Sequence, residues 1–147
     1  MNLFEEYLKF QDKTTLTETE LLEFNDFAES LIDSLNKGKI RAAEKDNFGN
    51  WHSNAWVKES ILLLFKFGKL VDFSINSNFK YFDKNYISLR PFELSDNVRI
   101  VPGGSSVRTG CYISPNVIIM PPAYINIGAY VDSGTMIDSH ALVGSCA

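Results

Sequence analysis

Between Thr17 and Gly38, Leu21, Phe24, Ala28, Leu31 and Leu35 return at intervals of three and four. That spacing puts them on one face of an amphipathic helix. Thr17 followed by Glu20 fits a capping box, in which hydroxyl and carboxylate each satisfy a free backbone amide, and Gly38 suits the left-handed position that ends a helix. A shorter helix is predicted over residues 54–67, with Gly68 as its stop, and another over residues 2–10. Residues 69–97 show no single period: LVDFSI suits a strand, whereas NSNFKYFDKN scatters turn residues among aromatics, so the stretch reads as a mixed connecting segment.

After Arg99 the pattern changes. Val101, Val107, Ile113, Ile119, Ile125, Val131, Ile137 and Val143 follow one another every six residues, a period that no α-helix has. The fourth residue after each is Ser105, Cys111, Val117, Ala123, Ala129, Thr135, Ala141 and Ala147, all small or β-branched. This double register is the signature of a parallel β-helix, in which each hexad supplies one short strand and one turn and about eighteen residues close a three-sided coil. Stacked coils hide the aliphatic column continuously, at about 1.5–3 kcal/mol for each fully buried side chain. The expected fold class is therefore α+β: a mostly helical amino-terminal domain over residues 1–97, then the start of a β-helix over residues 98–147. About two and a half coils fit before Ala147. Because GSCA reads as another ordinary repeat rather than a cap, the chain is expected to be a truncated one.

Composition narrows the function classes. With 45% apolar and 22% charged residues the chain is that of a globular protein, and its net charge of −4 offers no cationic field for nucleic acid or anionic lipid. Cys111 and Cys146 lack the paired spacing of a zinc or thioredoxin-like site and read as reduced thiols. Glu5 and Glu6 stand where a signal peptide carries basic residues, and the longest apolar run, Ile61 to Phe65, is too short to span a bilayer. A cytoplasmic protein is expected. His52 and His140 are the only histidines, so no multi-histidine metal site is expected, which argues against the carbonic anhydrases built on the same β-helix. Gly103–Gly104 is a turn pair without the helix start of a phosphate loop.

The stretch MPPAYINIGAYVDSGTMIDSHALVGSCA resembles the tetrahydrodipicolinate N-succinyltransferases of bacterial lysine and diaminopimelate synthesis, as do RAAEKDNFGNWHSNAWVKESILLLF, KYFDK and VRIVPGGSSVRTG. The resemblance implies left-handed crossovers and a homotrimer with active sites between neighbouring β-helices. It also implies a complete chain roughly twice this long, and transfer of succinyl from succinyl-CoA, a co-substrate, to the amine of ring-opened 2-amino-6-oxopimelate. The CoA-binding residues would lie beyond residue 147, and no metal is implied.

On the same resemblance, Arg99 in VRIVP and Asp138 in MIDSH match the residues with which that family binds its amino-dicarboxylate. Their types suit the chemistry: a planar guanidinium grips a carboxylate with two parallel hydrogen bonds, and a carboxylate meets the amine. Asp138 follows an inward aliphatic, so strand alternation turns it outward, where it is also the expected catalytic proton acceptor. Asp132 occupies the same register one hexad earlier and reads as a solvated corner. His140 is a second candidate base, since imidazole titrates near neutrality, although the matching place in the family often holds tryptophan. Arg108 and Asn126 read first as solvated or turn-supporting polar residues, Asn126 as part of an asparagine ladder; Arg108 is also a lesser candidate for a substrate carboxylate, its alignment blurred by a loop at PGGSSVR one residue longer than the family's. Two alternatives stay open: a non-catalytic hexapeptide module used only for assembly, and an acyltransferase taking another acyl-CoA, such as acetyl-CoA.

Overall fold

A computed structural model describes residues 2–147. Helices α1 (Leu3–Phe10), α2 (Glu18–Asn36) and α3 (Ala55–Phe67) stand in the three stretches expected to be helical. The capping box forms in full: the Glu20 N–H donates to Thr17 Oγ1 at 3.3 Å, and the Thr17 N–H donates to Glu20 Oε2 at 2.8 Å. Lys13 Nζ adds a 2.7 Å contact to the same carboxylate. Behind α2, Phe24, Phe27, Ala28, Leu31 and Leu35 are buried against Phe10, Val57, Ile61 and Leu64. Phe27 widens the expected stripe, and Leu21 is only half-buried. Gly38 takes a φ of +66°, and Lys39 N–H reaches back to Ser34 O at 2.9 Å.

Two antiparallel hairpins were not legible as such. Strands β1 (Ala43–Lys45) and β2 (Trp51–Ser53) pair around a turn in which Asp46 Oδ1 accepts the N–H groups of Phe48 and Asn50. Strands β3 (Leu70–Asp72) and β4 (Phe82–Lys84) pair within the segment expected to be mixed. Each strand has three residues, too few for a period of two to stand out from its surroundings.

From Arg99 onward the chain forms eight two-residue strands: β5 (Arg99–Ile100), β6 (Ser106–Val107), β7 (Tyr112–Ile113), β8 (Ile118–Ile119), β9 (Tyr124–Ile125), β10 (Tyr130–Val131), β11 (Met136–Ile137) and β12 (Leu142–Val143). They stack in parallel into three sheets, β5–β8–β11, β6–β9–β12 and β7–β10. Val107, Ile113, Ile119, Ile125, Val131 and Ile137 are buried in one core with Cys111, Val117, Ala123 and Ala129. Both sequence registers are therefore interior columns. A third register lies in the turns: Gly110, Asn116, Gly128, Gly134, His140 and Cys146, one per hexad, take positive φ, and the corresponding turn before Ala123 instead holds the cis Pro121–Pro122 peptide.

One expectation needs correcting. Val107 lies opposite Ile125, and Ile119 opposite Ile137, a step of eighteen residues; Ile119, however, lies opposite Ile100, a step of nineteen. The extra residue sits in the loop between β5 and β6, so Ile100, not Val101, continues the interior register in the first coil. The six-residue gap from Val101 to Val107 is a coincidence of the longer loop. Since a one-residue slip exchanges the two sides of a strand, Val101 belongs to the outer side.

The helices and the coils share packing. Ile127 belongs to the helical core. Asn36, at the end of α2, donates from Nδ2 to Thr109 Oγ1 at 3.0 Å and accepts the Gly110 N–H at 2.8 Å, pinning one β-helix corner. On the β7–β10 face Tyr112 and Tyr130 lie 4.6 Å apart between centroids, with the Arg41 guanidinium 3.5 Å from the Tyr130 centroid. Burial pushes the Cys111 thiol up to about 11, so it stays protonated, its Sγ donating to Arg108 O.

The α2 cap yields a pH test. Lys13, together with the Thr17 amide and hydroxyl, holds the Glu20 carboxyl down at about 2 against an ordinary 4.5. A depressed carboxyl contributes stability in full above its unfolded value, and loses it as pH falls through its folded value. Glu20→Gln is thus expected to flatten the loss of thermal stability between pH 4.5 and about 2 in a series of melts. Thr17→Ala, which removes the other half of the cap, should cost about 1 kcal/mol by urea unfolding at pH 7.

Candidate functional site

The outer side of the β5–β8–β11 sheet carries two adjacent columns. Arg99, Ile118 and Met136 are in register. Two residues further along each strand, Val101, Met120 and Asp138 continue it, because Val101 N–H donates to Ile119 O and Met120 N–H to Ile137 O. Arg99 and Asp138 therefore occupy opposite corners of one patch whose other members are Val101, Ile118, Met120 and Met136. Arg99, Met136 and Asp138 are exposed; Val101, Ile118 and Met120 are half-buried. Among the described residues neither Arg99 nor Asp138 enters an ion pair. Asp138 Oδ1 accepts the Ser139 N–H at 2.8 Å, which turns the carboxylate toward the corner and leaves Oδ2 for another donor.

The other expected residues are distributed differently. His140 lies two residues beyond Asp138 in the turn to β12, exposed, at a φ of +63°, with its N–H donating to Pro122 O at 2.6 Å. Its ring has no partner among the described residues' hydrogen bonds, Asp138 included. Asp132 follows β10 of the β7–β10 sheet and accepts the Ser133 N–H at 2.8 Å, away from the Arg99 patch. Asn126 follows β9 and accepts the N–H of Ile127 at 2.9 Å.

Arg108 is not brought to Arg99 and Asp138. It follows β6 on the adjacent sheet and forms an ion pair with Asp83 of β4. Its side chain is only 17% exposed. A backbone bridge between Leu89 and Arg108 fixes the same junction. Between the β3–β4 hairpin and this sheet lies a cleft of about 440 Å³ lined by Phe73, Ile75, Tyr81, Leu89 and Tyr124, with the Asp83–Arg108 pair in its wall. Asp83 had no signal of its own: it became a partner through a hairpin too short to read.

A family model described as "Tetrahydrodipicolinate N-succinyltransferase N-terminal" matches residues 4–67, from α1 to the end of α3. The 2,3,4,5-tetrahydropyridine-2,6-dicarboxylate N-succinyltransferase of Rickettsia bellii is 44% identical over 123 residues, 80% of this chain and 43% of the relative. That of Bartonella quintana is 37% identical over 117 residues, 76% of this chain and 41% of the relative. That of Shewanella baltica is 40% identical over 100 residues, 65% of this chain and 35% of the relative.

This chain is homologous to the amino-terminal portion of the tetrahydrodipicolinate N-succinyltransferases. It spans less than half the length of the curated relatives it matches. In such a homologue the helical part carries the family-model match, while the Arg99 and Asp138 patch stands on the β-helix that follows it. The apolar members of the patch, Ile118, Met120 and Met136, were not singled out from sequence. Their signal was available, since each flanks an interior aliphatic and must face outward.

The Asp83–Arg108 pair generates a stability test. Both partners are partly withdrawn from water, between the exposed and buried limits. Asp83→Asn should therefore lower stability by about 1–2 kcal/mol in urea unfolding. Protease nicking should move to residues 73–81 of the hairpin, and a variant as stable and as resistant as the parent would show that the pair contributes nothing.

Proposed function

We propose that the polypeptide of the complete reading frame containing these residues is an N-succinyltransferase acting on 2-amino-6-oxopimelate, the ring-opened form of tetrahydrodipicolinate, with succinyl-CoA as donor. The observation that carries this reading is the common outer face of Arg99 and Asp138 in a chain 44% identical to such an enzyme over 123 residues. Arg99 binds a substrate carboxylate through its two-pronged guanidinium. Asp138 meets the amine at the other corner. The amine nitrogen attacks the thioester carbonyl, a C–N bond forms, and the tetrahedral intermediate collapses with loss of the CoA thiolate. The attacking nitrogen, now cationic and acidic, gives a proton to Asp138, and the thiolate takes up one in turn. An aspartate is a weak base toward a free ammonium, but not toward nitrogen in that intermediate.

The reading includes a homotrimer in the cytoplasm, with the open patch facing a neighbouring copy. Its support is that the helical part packs on the β7–β10 face and the β3–β4 hairpin overhangs part of the β6–β9–β12 face, whereas the Arg99 face presents exposed Met136 beside half-buried Ile118 and Met120. No helix among the described residues is long and apolar enough to cross a membrane.

His140 is assigned a turn role. Its backbone slot is filled elsewhere by Gly110, Asn116, Gly128, Gly134 and Cys146, and histidine is one of the few non-glycine residues enriched at positive φ.

The test is a steady-state assay of the complete protein with succinyl-CoA and acetyl-CoA, each offered with the amino-dicarboxylate. Asp138→Asn should lower kcat by about 10² to 10⁴, Arg99→Gln should raise the amine's KM, and His140→Gly should keep turnover and melting temperature. Full activity in Asp138→Asn removes the proton role; loss of turnover in a folded His140→Gly transfers it to the imidazole. A wild-type protein that transfers no succinyl removes the reading altogether.

A further inference from the structure

The two charged corners of the patch are separated by apolar side chains only. On the diagonal between Arg99 and Asp138 lie Ile118 and Met120, one from each column of the middle strand, with Val101 and Met136 on the other diagonal. Neighbouring strands sit about 4.8 Å apart and residues about 3.3 Å apart along a strand, so two strands and two residues put the corner Cα atoms about 12 Å apart. Allowing a hydrogen bond of about 2.8 Å at each end leaves roughly 6 Å, and more where the long Arg99 side chain leans outward. A linear amino-dicarboxylate whose amine and far carboxylate are joined by several methylenes bridges that distance. One with a single methylene does not.

We propose that Ile118 and Met120, with Met136 beside them, form an apolar floor that carries the methylene chain of the acceptor and sets its preferred length. This rests on the succinyltransferase reading and adds residues to it. The occupant follows from complementarity: the floor is flanked by one unpaired cation and one unpaired anion at a fixed spacing, which selects a ligand of opposite ends and an apolar middle. Ile118 and Met120 are half-buried already, so a chain laid across them completes a surface that strand alternation has turned outward. Contacts of this kind act equally on ground and transition states, so they appear in KM rather than in kcat.

The experiment measures kcat and KM of the complete protein with succinyl-CoA and a series of acceptors of decreasing length: 2-aminopimelate, 2-aminoadipate and glutamate. Each methylene removed should lower kcat/KM about fourfold, the factor expected for one buried CH2. In Met120→Gln and Ile118→Thr, which keep size or branching while adding polarity, KM for 2-aminopimelate should rise several-fold at little-changed kcat, and the length gradient should flatten. Leu142→Gln, on the neighbouring sheet and 71% exposed, is the control and should leave the gradient intact.

A gradient that persists unchanged in both floor variants overturns the proposal, as does a wild-type protein indifferent to chain length. Floor variants that change the mass of the assembly but not the gradient overturn it too, and assign the face to contact between copies. In these cases succinyl transfer that still depends on Arg99 and Asp138 leaves the broader reading standing. Absence of succinyl transfer to every acceptor overturns both.

Discussion

Strands of two residues cannot hold themselves together. Each makes only a pair of ladder hydrogen bonds to a neighbour one coil away, and its single inward side chain would be wet on its own. What stabilises them is the repeat step: eighteen residues bring the chain back over itself, so Val107 meets Ile125 and Ile119 meets Ile137 in a dry column. The same step converts sequence position into spatial address. Side chains one residue from the interior column stack outward just as regularly, and the Arg99 patch is one such outer surface.

The amino-terminal helical part exploits this regularity by packing on a corner as well as on the β7–β10 face. Ile127 completes the helical core, while Asn36 satisfies a threonine hydroxyl and a glycine amide of one turn. Tyr112 and Tyr130 are taken up beside Arg41 and the β3–β4 hairpin overhangs part of the second face through Asp83 and Arg108, while on the third face Arg99, Met136 and Asp138 stay exposed. The position of the candidate site is thus a consequence of which two faces the rest of the chain uses.

What was legible from sequence divides along the same line. Helix α2 and the hexads were readable because their periods are local and repeat several times within one element. The orientation of Asp138 followed from alternation after Ile137. The hairpins were not readable, since three-residue strands repeat nothing, and the fate of Arg108 went with them because its partner sits on β4. The longer loop between β5 and β6 was visible as an oddity at PGGSS. Its effect was hidden because Val101, an aliphatic at the expected interval, stood beside Ile100, which pairs in register with Ile119.

The proposed preference for Asp138 over His140 rests on register rather than on chemical type. An imidazole is the better general base by its ordinary titration, and two residues separate it from the carboxylate. Yet the turn slot of His140 recurs at five other corners with glycine, asparagine or cysteine in it, so a backbone requirement already accounts for a residue that tolerates positive φ there. The slot of Asp138 makes no such demand. Its equivalents in the coils below are Val101 and Met120, whereas Asp132 and Asn126, one and two hexads earlier, accept the next residue's N–H as Asp138 accepts that of Ser139. What sets Asp138 apart from those two is the outer face it shares with Arg99, which enters no ion pair among the described residues, and the proposed assignment rests on that shared face.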